Sequence, residues 1–311
     1  MIKLNLYLVV IAVTGLGLFL ACNANNDRQQ KTSAVLDTVS LSSKSFALAY
    51  QDGSKIVATS IDTMKQISFG GATHPAISPD GNKLAYTVTD SAGNKSIWIA
   101  DMESKSQLQL QADSKDYDHA MWSPDGRTIA FNFLDKQHIW KVGVIKADNT
   151  GFILLDSKPA DSLFSPSWKN ETELVAHDLK NLYTFNKTGK LTDTKKITDC
   201  FGPDYQFLSS SRFFYTSDGR KLIFNARYGK PVEELHHQAE AVFILEADSK
   251  KVSRISPEGM NALDVFVTAD NRIFFSGAEK PFSQSKIYVS DLKGNIKTVV
   301  DKGTYPTATL K

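Results

Sequence analysis

Cysteine and concentrated charge are both scarce in this sequence. Among 311 residues there are two cysteines, and Cys22 closes an apolar N-terminal segment. Cys200 is then left without a partner for an internal disulfide, so the fold must be held by its hydrophobic core. The 36 Lys and Arg residues nearly balance the 34 Asp and Glu residues, and no basic run stands out. Nucleic-acid binding usually needs a concentrated basic face, so the sequence disfavours that function.

The sequence also lacks the short motifs that mark common catalytic sites. It has no Gly-x-Ser-x-Gly elbow, no His-Glu-x-x-His zinc motif, no paired-cysteine motif and no phosphate-binding loop. We therefore predict a protein that is not an enzyme and that needs no cofactor. A metal-assisted enzyme stays open as the alternative.

The first 22 residues carry an early Lys3 and then a long apolar stretch that ends at Cys22. This pattern is typical of a secretory signal peptide. Its last four residues, FLAC, resemble a bacterial lipobox, although Phe19 stands where Leu is usual. The resemblance implies a signal peptide over residues 1–21 and a lipid on Cys22. A single membrane-spanning anchor is the alternative, because the apolar run is nearly long enough to cross a bilayer.

A polar segment rich in Asn, Ser, Thr and Gln follows the apolar stretch. We expect residues 22–44 to comprise the lipidated Cys22 and a flexible tether. The remaining residues, 45–311, are predicted to form one domain. Both a lipid on Cys22 and a membrane-spanning anchor would place this domain outside the cytoplasm and tether it to a membrane.

One pattern of thirteen residues occurs twice, as HPAISPDGNKLAY from His74 and as HAMWSPDGRTIAF from His119. A second signal is an aliphatic residue followed, in five of six copies, by an aromatic one. The copies are Ile56-Val57, Ile97-Trp98, Ile139-Trp140, Leu182-Tyr183, Val242-Phe243 and Ile287-Tyr288. A repeat of roughly 45 residues that divides into four short strands is typical of a propeller blade.

The unit that begins at His74 divides into strands His74–Ser78, Lys83–Thr89, Ser96–Met102 and Gln107–Gln111. The first unit of the sequence lacks its first strand, whereas Gly303–Leu310 resembles a first strand with nothing after it. We therefore predict an all-β, six-bladed propeller of four-stranded antiparallel blades. Its C-terminal strand completes the first blade, which removes the exposed edges of an open ring.

The repeated Ser-Pro-Asp-Gly turns resemble the propeller half of TolB-like periplasmic proteins, within the wider WD-like propeller group. The resemblance covers Ser45 to Lys311. TolB itself places an α/β domain before its propeller, and this sequence has no room for one. Related propellers include non-catalytic scaffolds, lyases that use a histidine-bound metal, and the propeller halves of prolyl-peptidase-like enzymes, so the fold alone does not select a function.

All six histidines are predicted to lie on one face of this propeller, opposite the Asp-Gly turns. The first residues of the innermost strands should form a polar ring around the central channel, consisting of Tyr305, His74, His119, Ser165, Arg212 and Asp264. Channel mouths with convergent polar groups are common ligand sites. An insertion, Arg227–Glu240, should fold over or beside the ring. It carries His236 and His237, but adjacent histidines on an extended segment point apart and rarely hold one metal ion.

The sequence thus favours a lipoprotein of the bacterial outer membrane, facing the periplasm, that binds an envelope protein or peptide through its histidine-bearing ring. The ring residues and the Arg227–Glu240 insertion would set its specificity. The alternative is a glycan-binding or polysaccharide-active propeller, with lyase-like chemistry assisted by a divalent metal.

Overall fold

A computed structural model describes residues 46–60, 66–111, 114–155 and 162–310. The predicted signal peptide, the predicted lipidation site Cys22 and the predicted tether lie outside the described residues. Within those residues no helix is long and apolar enough to cross a membrane.

The described strands form six antiparallel sheets of four strands each, as predicted. Blade 1 contains β1 (Phe46–Asp52), β2 (Lys55–Ser60) and β3 (Gln66–Gly70), together with the last strand of the protein. Blade 2 contains β4 (Ala72–Ile77), β5 (Lys83–Thr89), β6 (Lys95–Asp101) and β7 (Gln107–Gln109). Blade 3 contains β8 (Tyr117–Trp122), β9 (Thr128–Leu134), β10 (Trp140–Lys146) and β11 (Ile153–Leu154).

The second half of the ring repeats this order, with one short helix and one long hairpin. Blade 4 contains β12 (Phe164–Trp168), β13 (Glu173–His177), β14 (Asn181–Asn186) and β15 (Leu191–Lys196), followed by helix α1 (Ile197–Phe201). Blade 5 contains β16 (Phe213–Tyr215), β17 (Lys221–Val232), a 3-10 turn (Glu233–Leu235), β18 (His237–Glu246) and β19 (Val252–Arg254). Blade 6 contains β20 (Asn261–Val267), β21 (Ile273–Ala278), β22 (Lys286–Ser290) and β23 (Ile296–Val300), and β24 (Thr304–Leu310) is the final strand.

Strand β24 closes the ring by pairing with β1, which confirms the predicted closure. The two strands are antiparallel, and Ala47 lies opposite Thr309 in their register. The Thr309 hydroxyl donates a hydrogen bond to the carbonyl of Pro79 in the neighbouring blade. The last strand therefore completes blade 1 and also ties it to blade 2.

The repeated Ser-Pro-Asp-Gly sequence forms a tight turn that its own side chains hold. The Asp80 carboxylate accepts hydrogen bonds from the Ser78 hydroxyl at 2.6 Å and from the Asn82 backbone N–H at 3.0 Å. Gly81 adopts a φ of 72°, a left-handed conformation that glycine reaches without steric cost. The aspartate of this motif is thus structural.

The hydrophobic core lies between the blades, where the faces of adjacent sheets meet. Tyr183, Phe243 and Tyr288, three aromatic members of the repeated pair, are buried there. Two tryptophans fasten neighbouring innermost strands: the Trp122 indole donates to the Ala76 carbonyl at 2.8 Å, and the Trp168 indole to that of Met121 at 3.2 Å. One blade cannot bury its faces alone, which is why the sequence repeats its pattern.

The propeller has two distinct faces, which we name by their residues. The turn face carries the Asp-Gly turns between the first and second strands, such as Asp80-Gly81. The histidine face lies at the opposite ends of the same strands and carries His74 and His119. The described residues enter the propeller at the turn face, because Phe46 pairs with Leu310 at that end of blade 1.

Candidate functional site

The ring residues predicted from the sequence occupy one structural position in five of the six innermost strands. At this position the ladder between first and second strands shifts register, which marks a β-bulge. The five residues have left-handed backbones, with φ of 51° at His74, 56° at His119, 46° at Ser165, 53° at Asp264 and 51° at Tyr305. Side chains other than glycine rarely adopt this conformation, which costs about 1–2 kcal/mol per residue. The fold therefore holds five side chains of four types in the same strained position.

Arg212 fills the sixth position in a different way. It immediately precedes β16, and that strand pairs with β17 without a register shift. The Arg212 backbone N–H donates a 2.9 Å hydrogen bond to the side-chain oxygen of Asn225. Blade 5 thus presents its ring residue from the end of a regular strand.

A second polar layer supports the ring from the second strand of each blade. Its members follow mostly aromatic residues in otherwise apolar strands: Gln51, Thr87, Asn132, His177, Asn225 and Ser276. The Asn132 side-chain oxygen accepts from the Ser165 N–H at 2.9 Å, and the His177 Nε2 lies 2.9 Å from the Ser211 carbonyl. Hydrogen bonds of this kind hold the backbone from which most ring side chains project, whereas the buried Thr87 hydroxyl has no partner among the described residues.

Asp118 lies between the two ring histidines. Its Oδ1 is 3.1 Å from Nδ1 of His74, and its Oδ2 is 3.3 Å from Nδ1 of His119. The imidazole of His74 also packs edge-on against the Tyr305 ring, with 4.3 Å between the ring centroids. Residues of blades 1, 2 and 3 therefore meet in one cluster at the channel mouth.

Burial keeps both ring histidines neutral at neutral pH. It lowers the pKa of His119 to about 4 and lowers that of His74 as well, although Asp118 opposes the shift in each case. Burial acts most strongly on Asp118 and raises its pKa, but His119, His74, the His119 backbone N–H and Lys95 together lower it. Burial, aided by Asp264 and Asp118, raises the pKa of Tyr305 to about 12. The mouth thus combines a carboxylate, two neutral imidazoles and a protonated phenol.

The guanidinium of Arg212 is buried. Burial lowers its pKa, whereas Asp264 of blade 6 and Asp118 of blade 3 raise it. The charge of Arg212 in turn lowers the pKa of His74 and of His119, so it acts on ring residues of other blades. Glu240, at the base of the blade 5 hairpin, accepts a hydrogen bond from the Asn225 side-chain amide at 2.9 Å. Its buried position raises its pKa.

The other histidines lie outside this cluster. His177 is fully buried in the supporting layer. His138 occupies the exposed turn between β9 and β10, and His236 ends the 3-10 turn of the blade 5 hairpin. The Nδ1 of His237 lies 2.7 Å from the Gln238 carbonyl. Across the described ranges, no three His, Cys, Asp or Glu side chains are grouped so as to hold a metal ion.

The predicted insertion forms a long hairpin rather than a loose loop. Strands β17 and β18 extend beyond the other strands of blade 5, and a register shift lies between Arg227 and Pro231. At its tip, Glu234 forms a 2.8 Å ion pair with Lys280 of blade 6. The hairpin therefore stands on the histidine face and is fastened toward the next blade.

Asp118 and the supporting layer were not predicted from the sequence to be parts of the site. Asp118 directly precedes His119, and its importance comes from contact with His74 of another blade. A local signal for the supporting layer was present, since a polar residue interrupts an apolar strand at the same position in each unit. Aligning the second strands would have revealed it.

The opposite mouth of the channel has a different chemistry. A cavity of about 460 Å³ opens at the turn face, and all six blades line it. Its walls are mainly apolar and aromatic, including Trp122, Trp168, Phe214 and Phe266. The polar ring and this apolar cavity thus occupy opposite ends of the channel.

Solved structures with the same architecture include TolB proteins. TolB from Acinetobacter baumannii matches with a TM-score of 0.63 and 12% identity, over 86% of this chain and 67% of that chain. A putative TolB from Agrobacterium tumefaciens matches with a TM-score of 0.57 and 12% identity, over 87% and 99%. The propeller domain of the Trilobed protease from Pyrococcus furiosus matches with a TM-score of 0.52 and 15% identity, over 79% and 74%.

At these identities the likeness concerns the fold, and it confirms the predicted TolB-like six-bladed propeller at that level. No protein-family model matches the sequence, and no curated protein is similar to it in sequence. The site must therefore be interpreted from its own residues.

Proposed function

We propose that this protein is a bacterial envelope lipoprotein whose propeller binds a protein or peptide partner at the histidine face. The observation that carries this proposal is the polar ring. Five of its members hold a strained backbone conformation at one structural position, and such strain is concentrated at functional sites. A rigid closed ring with variable side chains at fixed positions is suited to recognition.

The chemistry of the mouth supports binding. The side chains of His74, Asp118 and His119 retain 21%, 18% and 17% exposure, so a ligand entering the channel can reach them. The blade 5 hairpin extends from the same face and contacts blade 6 through the Glu234–Lys280 ion pair. Binding sites commonly combine a concave surface with a few convergent polar groups.

The N-terminal sequence supports an envelope role. Residues 19–22, FLAC, resemble a lipobox, and the resemblance implies a lipid on Cys22. A lipid there would hold the protein at a membrane outside the cytoplasm, where it could meet an envelope partner.

A crosslinking pull-down tests the proposal. The tagged protein is recovered from its own membranes beside the double variant His119→Ala/Arg212→Ala and the matched control Lys187→Ala/Arg220→Ala, which removes two exposed cations at the turn face. We expect one protein in near-equal amount with wild type and control, and its loss in the ring variant. Equal recovery with all three would refute this placement, and recovery of glycan would favour the alternative function.

A further inference from the structure

The Arg212 side chain is buried without a protein partner. It is only 8% exposed, yet no described residue accepts a hydrogen bond from its guanidinium or places a carboxylate within ion-pair distance of it. A guanidinium has five N–H donors and stays charged in proteins. Leaving such a group buried and unpaired is costly, which makes it a strong candidate for contact with an external acceptor.

The two carboxylates whose charges act on Arg212 are engaged with other groups. Asp118 contacts the Nδ1 atoms of His74 and His119. One oxygen of Asp264 accepts hydrogen bonds from the Ser276 hydroxyl at 2.6 Å and from the Tyr305 backbone N–H at 3.2 Å. These acids stabilise the charge of Arg212 from a distance, but its donors stay available to a ligand in the channel.

The remaining polar groups of the mouth favour an acidic segment that can also form hydrogen bonds. Nδ1 of each ring histidine lies near Asp118, and neither Nε2 has a hydrogen-bond partner among the described residues. Nδ1 of His74 also makes no hydrogen bond, although it is 3.1 Å from Asp118. Each neutral imidazole has one N–H donor and one acceptor nitrogen. A peptide could therefore place a carboxylate on Arg212 and form backbone hydrogen bonds with the imidazoles.

We infer that Arg212 is the anchor for a carboxylate that the partner inserts into the channel mouth, either from an acidic side chain or from the C-terminus of a peptide. This inference rests on the proposed function and specifies its chemistry. A planar guanidinium binds a carboxylate through two parallel hydrogen bonds, which gives geometric specificity as well as affinity. Lysine at this position would keep the positive charge but could not form the two parallel hydrogen bonds.

The test uses four small probes and the full propeller. N-acetylaspartate N-methylamide carries a side-chain carboxylate, and N-acetylglycine carries a C-terminal carboxylate. N-acetylasparagine N-methylamide and N-acetylglycinamide are their uncharged counterparts. The readout is the Nε–H resonance of Arg212 in a nitrogen-15 spectrum, assigned by its absence in Arg212→Lys.

We expect one or both carboxylates to shift the Arg212 resonance saturably, and the amides to leave it unmoved. The carboxylate that binds more tightly identifies the source. An unmoved Arg212 resonance with both acids, or equal shifts with acids and amides, would overturn the inference. This arm uses the wild-type protein, so it does not depend on whether a variant folds.

A second arm follows the ring resonances of His74 and His119, which lie in the same mouth. We expect Arg212→Lys to weaken carboxylate binding by roughly tenfold, because lysine cannot form the bidentate pair. Arg254→Lys is the matched control, since Arg254 already donates to the carbonyls of Ser256 and Pro257. Equal binding by both variants would contradict the inference. The carboxylate probes could bind at Arg212 while the variant His119→Ala/Arg212→Ala still captures the partner. That result would refute the proposed function and leave Arg212 as a carboxylate site.

Discussion

The two mouths of the channel differ in how their residues vary from blade to blade. At the turn face the blades repeat the same solution: Ser78 with Asp80 and Ser123 with Asp125 each form a 2.6 Å hydrogen bond inside a similar turn. At the histidine face the blades place different side chains at one strained position. The comparison shows that repetition maintains the fold, whereas variation at a repeated position provides a surface for recognition.

The largest stability effect is expected at the turn mouth. Trp168→Ala removes an 8% exposed indole that packs in the core and bonds to blade 3. Loss of a buried Trp costs about 3–5 kcal/mol, so the free energy of unfolding should fall by that amount in a urea titration. Below the melting temperature the folded variant should still capture its partner. If folded Trp168→Ala protein lost capture, the turn face would also take part in recognition.

An acid-dependent effect of about 3 kcal/mol is expected from the layer that supports the ring. Burial lowers the pKa of His177 to about 4 in the folded state, compared with 6.5 for the ordinary side chain. As the pH falls, the unfolded protein therefore binds a proton first, and stability present above pH 6.5 is lost toward pH 4. His177→Gln should remove roughly 3 kcal/mol of this pH dependence.

The measurement for His177 is the free energy of unfolding across this pH range in both proteins. His177 contacts the Ser211 carbonyl through Nε2 and accepts from the Leu179 backbone N–H through Nδ1. Gln offers one donor and one acceptor for these two contacts but does not titrate, so the difference in pH dependence reports the titration of His177. If wild type and variant lost the same stability on acidification, His177 would not be the group responsible.

A smaller effect is expected for one of the repeated turns. Asp125→Ala removes the acceptor for the Ser123 hydroxyl at 2.6 Å and for the Arg127 backbone N–H at 3.0 Å. Hydrogen bonds to charged groups contribute modestly, so we expect a loss of about 1–2 kcal/mol in thermal and urea unfolding. The folded variant should capture its partner as wild type does. Loss of capture by folded Asp125→Ala protein would place recognition at the turn face.

The fold could be predicted because its determinants are local and repeated. The strand Lys83–Thr89 was predicted with its observed bounds, and Gly303–Leu310 was correctly identified as the closing strand. Strand β4, the first strand of blade 2, starts at Ala72, two residues earlier than predicted. The reason is that its pairing with β5 extends past the bulge at His74.

The site could be predicted only in outline. Ring positions followed from aligning the blades, but contacts between blades depend on side-chain directions that a linear pattern does not contain. Asp118 is the main example, because its partner His74 lies 44 positions away in sequence. The left-handed backbone at the bulges was also not predicted, since His, Ser, Asp and Tyr there give no glycine signal.

Site-specific photocrosslinking from each face would show directly which face meets the partner. A photoreactive residue replaces Ala92, exposed in the β5–β6 turn of the histidine face, or Arg220, exposed at the turn face. Each protein is illuminated in its own membranes. We expect one discrete crosslinked protein from position 92 and none from position 220. The same product from position 220 alone would contradict recognition at the histidine face.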